Sequence, residues 1–299
     1  MQTEDARRLH AQGFIPSLDE DEQRFLKRVK SRLKWSQLLW KDDLNFKEEG
    51  LHLNKEHRFQ ESSLQDGGAP INDKFGCLPH WVPAYHSNQG LPFLTGGMAV
   101  ELSSPNDSEQ VFFQLRESFR NKDKWFIYPR QEILSHEMCH VVRFPLNSHR
   151  YEESLAYSIS SSGFRRWLGG ALLSPRDNLI LLGGILSWVS VDVLSLMTLN
   201  LGAFSWILRF LLPIIVILGL IRNTNIRQEL HSAQKNLTAI FPQNQSSKVL
   251  FCLNDQEIDW LSRHDSPDQI IQWWRNLAGF RGNFLRNVFL DVEDQTQNG

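Results

Sequence analysis

From Leu179 to Ile221 the chain runs through 43 residues of which only Asp192 and Arg209 carry charge. At 1.5 Å per residue a helix of that length reaches about 65 Å, twice the roughly 30 Å of a bilayer's hydrocarbon layer. Helices of soluble proteins seldom stay apolar on every side for so long. The stretch therefore predicts two membrane-crossing helices, 179–198 and 203–221, joined by a tight turn at "LNLG"; a hairpin buried in a soluble core is the plainer alternative. Arg165, Arg166 and Arg176 precede the stretch, Arg222, Arg227 and Lys235 follow it, and the turn has no charge. The positive-inside bias then keeps both flanks, and the soluble parts of the chain, on the cytoplasmic side of a bacterial-type inner membrane. Asp192 lies seven residues before Leu199 and Arg209 seven after Gly202. An antiparallel hairpin sets the two charges at one depth, where they neutralise each other.

The remaining composition is that of a globular protein: 41% of the 299 residues are hydrophobic and 22% charged. A net charge of −2 lacks the basic excess that drives phosphate-backbone binding, so a nucleic-acid partner is not expected. Cys77, Cys139 and Cys252 are odd in number and widely spaced, which fits a reducing compartment. The opening "MQTEDARRLHAQGF" has no apolar run, and no cleaved secretion signal is expected.

Residues 17–40 begin with the capping-box spacing "SLDE" and carry Phe25, Leu26, Val29 and Leu33 at helical period among five basic residues. They predict an amphipathic basic helix, with either a solvated face or one laid on an anionic membrane surface. "ESSLQDGGAPINDKFG" (61–76) reads as a turn-rich separator. "GGMAVEL" and "KWFIYP" read as strands, "SSPNDSE" as a turn, "QVFFQLRESF" as a helix and residues 150–168 as one helix. After the apolar stretch, "IRQELHSAQKNLTAI" predicts a helix, "KVLFCL" a strand, "NDQEIDWLSRH" and "SPDQIIQWWRNLAGF" two capped helices, and 291–299 a polar tail. The sum is a mostly helical α+β fold.

Between these elements, "PRQEILSHEMCHVVR" follows Pro129 as a natural helix. His136 and His140 stand four apart on one face, able to offer ring nitrogens to one metal ion. Glu137 is rotated about a quarter turn away, suited to act on a metal-bound water without occupying the metal. Ile133, Leu134, Met138, Val141 and Val142 sheathe the motif, and Cys139 is expected to be a core residue. Two unrelated imidazoles on an exposed helix are the plain alternative. A catalytic zinc needs a third ligand and an open position. A further histidine six residues after His140 is ruled out, because Leu146 is there. The candidates are carboxylates: Glu152 or Glu153 in "YEESLAY", or Glu229 in "RQELHSA". Two adjacent glutamates are expected to split, one facing inward and one solvated.

HExxH followed by a glutamate with a small residue three or four positions on resembles the gluzincin metallopeptidases, over about residues 125–168. The resemblance implies zinc ligation by His136, His140 and Glu153, with Ala156 as the small residue, and general-base action by Glu137. The order HExxH, two membrane spans, then Glu229 and Ala233 is also similar to the membrane-embedded heat-shock metalloproteases, which would make Glu229 the ligand. The absence of Asp after Ala233 favours Glu153.

The implied organisation is an N-terminal helical region (1–70), a zincin-like catalytic domain (71–177), a two-span transmembrane hairpin (178–222) and a helical cytoplasmic C-terminal region (223–299). The implied activity is zinc-dependent hydrolysis of peptide bonds in membrane-associated proteins or peptides. Two other readings remain: a membrane scaffold or binding protein with a structural or vestigial HExxH helix, and a zinc hydrolase of a non-peptide bond. Tyr157, Tyr151, His149 and Arg143 are near enough in sequence to stabilise an oxyanion, with no spacing that singles one out. His80, Trp81, Tyr85 and His86 either line a cleft or pack a loop, and Trp260, Trp273 and Trp274 are expected in the core. If Asp192 and Arg209 pair, Asp192→Asn costs hairpin stability in the wild type but little in an Arg209→Leu background, as unfolding in detergent would read out.

Overall fold

The computed structural model describes residues 1–41, 46–48, 51–53, 55–92, 95–102, 110–169, 175–196 and 202–289. The "SSPNDSE" turn, the "LNLG" turn apart from its last residue, and the polar tail lie outside them. The fold is mostly helical, with short strands. Helices α1 (Thr3–Ala11) and α2 (Glu22–Lys41) lead to a small hairpin, β1 (Phe46–Glu48) and β2 (Leu51–Leu53). The α2 helix starts four residues later than the "SLDE" spacing suggests. Asp21 caps it, its carboxylate accepting the Arg24 N–H at 2.8 Å, while Glu20 turns back to Arg28 at 2.7 Å.

Two short helices, α3 (Glu61–Gly67) and α4 (Ala69–Phe75), occupy the segment read as a separator. Pro70 sits in the first turn of α4, where its missing N–H costs nothing, and Gly76 closes it in the left-handed region at φ 70. The same residues that signal turns here start and stop helices. Strands β3 (Ala84–His86), β4 (Gly97–Leu102) and β5 (Gln110–Leu115) form a sheet in the order β3-β5-β4, parallel between β3 and β5 and antiparallel between β4 and β5. Thus the "QVFFQL" run expected to be helical is the central strand. Val111, Phe112, Phe113 and Leu115 are buried on both of its faces, a continuous apolar run in which helix and strand periods look alike. "KWFIYP" is a tiny hairpin, β6 (Lys124–Trp125) and β7 (Tyr128–Pro129), with Phe126 at φ 49 in its tip.

Helix α5 (Arg130–Arg143) runs through the centre of the molecule, packed against α3, α4, β4, β5 and α6 (Glu152–Tyr157). The approach of α3 is close enough that a Cβ on Gly67 would lie 2.3 Å from Leu134 Cδ2, and Ser135 Oγ donates to Gly67 O at 2.6 Å. The single helix expected over 150–168 is broken into α6 and α7 (Gly163–Gly169) by the serine-rich Ser158–Ser162, whose side chains bond the backbone locally. Helices α8 (Pro175–Leu196) and α9 (Gly202–Leu237) follow and touch each other, with Arg209 and Asp192 paired at 2.9 Å. Within α9, Arg209–Leu237 is long and apolar enough to cross a membrane, and only 12% of its most apolar part is buried in the protein. Gly183–Leu194 of α8 is a shorter apolar run.

Helices α10 (Gln243–Phe251), α11 (Asp255–Arg263), α12 (Pro267–Arg275) and α13 (Gly279–Phe289) complete the chain. α10 replaces the strand expected at "KVLFCL": Val249, Leu250 and Phe251 are all buried, and so short an apolar run carries no decisive period. α11 has the full capping box, Asn254 and Glu257 bonding each other's backbone N–H at 2.9 Å. α13 packs on α1, so the two ends of the described chain meet.

Arg143 ties α5 to this C-terminal group. It is fully buried and donates to the carbonyls of Phe251 and Leu253 and to Ser148 Oγ, which in turn reaches Asp255. Arg143→Met leaves the Phe251 and Leu253 carbonyls and Ser148 Oγ without this donor, a loss of about 3–5 kcal/mol. Denaturant unfolding followed by tryptophan fluorescence measures it.

Candidate metal centre

Helix α5 presents His136 and His140 one turn apart, with their Nε2 atoms 3.1 Å from each other. Glu153, from α6, lies across them: Oε2 is 3.4 Å from His136 Nε2 and Oε1 is 3.4 Å from His140 Nε2. One ligand atom from each of the three residues falls within 4.8 Å of the others, and no other such group occurs among the described residues. Ligands about 2.0–2.1 Å from a tetrahedral ion are separated by about 3.3 Å. Two imidazoles and a carboxylate at these distances fit a divalent cation with nitrogen and oxygen preferences.

Glu152 is not solvated. Its Oε1 lies 2.8 Å from His140 Nδ1, the edge of the ring turned away from Glu153. This corrects the expectation that one of two adjacent glutamates must face water: an imidazole has two nitrogens on opposite edges, so neighbouring carboxylates can serve one ring. The Glu152 contact leaves Nε2 as the ligating atom and holds the ring's orientation. Glu229, the alternative ligand, is held elsewhere, by Arg150 at 2.7 and 2.9 Å and by the Tyr151 hydroxyl at 2.8 Å.

Glu137 is buried, and its Oε2 accepts the Ala99 N–H of β4 at 2.8 Å. Burial raises its pKa against the opposing pull of His136 and His140. Burial acts on His140 in the other direction, but the hydrogen bond to Glu152 and the charges of Glu153, Glu137 and Glu152 together lift it to about 9. Burial also penalises ionised Glu153, yet its contacts to His136 and His140 hold it below the usual carboxylate value.

Of the four residues considered for an oxyanion, only Tyr157 borders the group, its ring 4.5 Å from that of His136. Tyr157 is four residues from Glu153, hence on the same helical face; that spacing was the available signal. Tyr151 is spent on Glu229, Arg143 points toward the C-terminal helices, and the exposed His149 gives its backbone N–H to Asp255. Trp81 stacks on Phe14 at 4.7 Å and His86 on Phe59 at 3.8 Å, so the aromatic loop packs rather than opening a cleft. Cys139 is buried in the core, its thiol pushed up by desolvation. Comparison of the chain with protein-family models, curated proteins and solved structures gives no match.

Because His140 is unprotonated above about pH 6.5 in an unfolded chain but only above about 9 in the folded one, its contribution to stability is complete below 6.5 and is lost as pH rises through 9. The same proton competes with a cation. Affinity of this group for a divalent cation should therefore rise with pH up to about 9, and each ion bound should displace a proton, measurable by chelator competition and in weakly buffered titrations.

Proposed function

We propose that the protein is a membrane-anchored zinc metallopeptidase of gluzincin type. The observation that supports this reading most directly is the convergence of His136, His140 and Glu153 beside the buried carboxylate of Glu137. Structural zinc sites enclose the ion with four protein ligands, and catalytic ones use three. Three is the number gathered here among the described residues. Bound there, zinc would supply Lewis acidity and bring the pKa of water at the site down toward about 7.

The chain's own groups account for the remaining steps. His136, His140 and Glu153 hold the ion, and Glu152 fixes the His140 ring. Glu137 keeps Oε2 on the Ala99 N–H; Oε1 takes the proton from water and returns it to the departing amine. A carboxylate whose pKa is raised by burial holds that proton better between the two transfers. β4 is the outer strand of its sheet, and the Ala99 N–H on its open edge already reaches Glu137. An extended peptide laid along that edge would pass the carboxylate. Tyr157 offers a hydroxyl for the developing oxyanion.

The membrane part of the proposal is a two-span hairpin with both flanks cytoplasmic. Phe210, Ile214 and Ile217 of α9 are exposed large apolar side chains, as lipid contact requires. Phe126 and Ile127 in the β6–β7 tip and Phe164 and Trp167 of α7 are exposed as well. Arg165 binds Ile127 O at 3.1 Å and Asn223 binds Trp167 O at 2.6 Å, which ties these apolar groups to the end of the apolar part of α9. Such a collar suits the headgroup level of a bilayer.

Glu137→Gln should keep stoichiometric zinc and lose about 10²–10⁴-fold in peptide cleavage. The assay uses the purified full chain, a broad peptide library, and lipid and amide substrates in parallel. A protein that carries no zinc, or whose activity survives Glu137→Gln, belongs to the scaffold reading. Cleavage of the lipid or amide substrates alone would assign a non-peptide hydrolase.

A further inference from the structure

On the side of α6 away from the metal ligands, helices α4, α6, α9 and α10 enclose a cleft of about 180 Å³. Lys74, Arg227 and His231 line it together with Ser154, Ser158 and Ser247, and none of its lining residues is acidic. Lys74 spends one N–H on Ser158 O at 2.8 Å. The Arg227 Nε and the Ser154 hydroxyl, which is almost wholly buried, have no hydrogen-bond partner. The cations also face one another rather than carboxylates. Burial lowers the pKa of both Lys74 and Arg227, Arg166 lowers both further, and Arg227 adds to the effect on Lys74.

Partly buried cations without counter-charge are costly, and an unpaired buried donor costs roughly 1–3 kcal/mol. A folded chain keeps such an arrangement where a ligand supplies the missing charge and acceptors. The volume is well under the roughly 300–1,000 Å³ of pockets for whole organic ligands, so the occupant is compact. We propose that this cleft binds a phosphate group, with Lys74 and Arg227 supplying the charge and Ser154 and His231 further donors. A phosphate has several acceptor oxygens and up to two negative charges, matching donors that converge from three helices, α4, α6 and α9.

Position bears on the source of the phosphate, in a way that rests on the membrane reading of α9. Arg227 is six residues past Ile221, about 9 Å along the helix, close to where headgroups border a hydrocarbon layer. An anionic phospholipid and free inorganic phosphate share the same chemistry at this point, and the site does not depend on hydrolase activity.

The test uses the full chain. In detergent micelles, inorganic phosphate at matched ionic strength should raise the unfolding temperature saturably where chloride does not. Arg227→Gln and Lys74→Gln should each weaken that binding about tenfold or more. Ser247→Asp, which places a carboxylate at the partly exposed rim beside the cations, should abolish it without touching the core, so the proposal stays testable if the other variants fold poorly. In nanodiscs of phosphatidylcholine with and without phosphatidic acid, a lipid source appears as protection by phosphatidic acid to which free phosphate adds nothing. A free-phosphate source appears as equal protection by phosphate in both. The proposal is overturned if neither phosphate nor phosphatidic acid stabilises the wild type beyond chloride, or if Ser247→Asp binds as the wild type does.

Discussion

Two neighbouring carboxylates of α6 gripping one imidazole of α5 is the contact on which the candidate centre depends. A helix of six residues has no stability of its own, since nucleation alone is unfavourable; its position is imposed from outside. Leu155 and Ala156 are buried in the core. Ahead of the helix, the Asp255 carboxylate accepts the backbone N–H groups of His149 and Arg150, both at 2.8 Å. At its end Lys74 takes Ser158 O. Asp255 is reached in turn through Ser148 from Arg143, at the last turn of α5. The C-terminal helices thus set where Glu152 and Glu153 stand, although no residue of theirs belongs to the group. Glu137, Glu152 and Glu153 crowd one partly dry region, and a proton on His140 relieves part of their mutual repulsion. A divalent cation would do the same with more charge.

The part of this centre that lies within one helical turn was legible in the sequence. The spacing of His136 and His140, the offset of Glu137 and the apolar sheath of Ile133, Leu134, Met138, Val141 and Val142 follow from helical period alone. Glu153 was legible only through resemblance to a family pattern. The role of Glu152 is not legible from helix period, which fixes directions around the axis but not the edge from which the partner ring is approached. Elements that carry no period were misread: the buried run at Val111–Leu115 is a strand and that at Val249–Phe251 a helix. In both cases neighbours decide, the sheet in one and the α4 and α9 surfaces in the other. The glycines and proline of 61–76 signal turns by composition, yet Gly67 is needed for close approach to Leu134 and Pro70 for a helix start.

The apolar stretch and the site share one strut. α9 extends from Gly202 to Leu237, with Ile214, Ile217 and Ile221 exposed in its first part and Ile226, Ala233 and Leu237 buried in its last. The change of environment falls around Asn223, which is buried and bonded to α7. Two turns further on, Glu229 holds Arg150 and the Tyr151 hydroxyl. Tyr151 is fully buried and immediately precedes α6. An α-helix is stiff along its axis, so displacement of the apolar part relative to the core is transmitted to Glu229, and from there to the residue next to Glu152. Tyr151 cannot follow without leaving its packed position, and close-packed interiors do not deform smoothly. The exposed apolar part of α9 and the position of the donor residues on α6 are therefore linked through Glu229. That is why Glu229, read from the sequence as a possible ligand, matters to the centre without touching it.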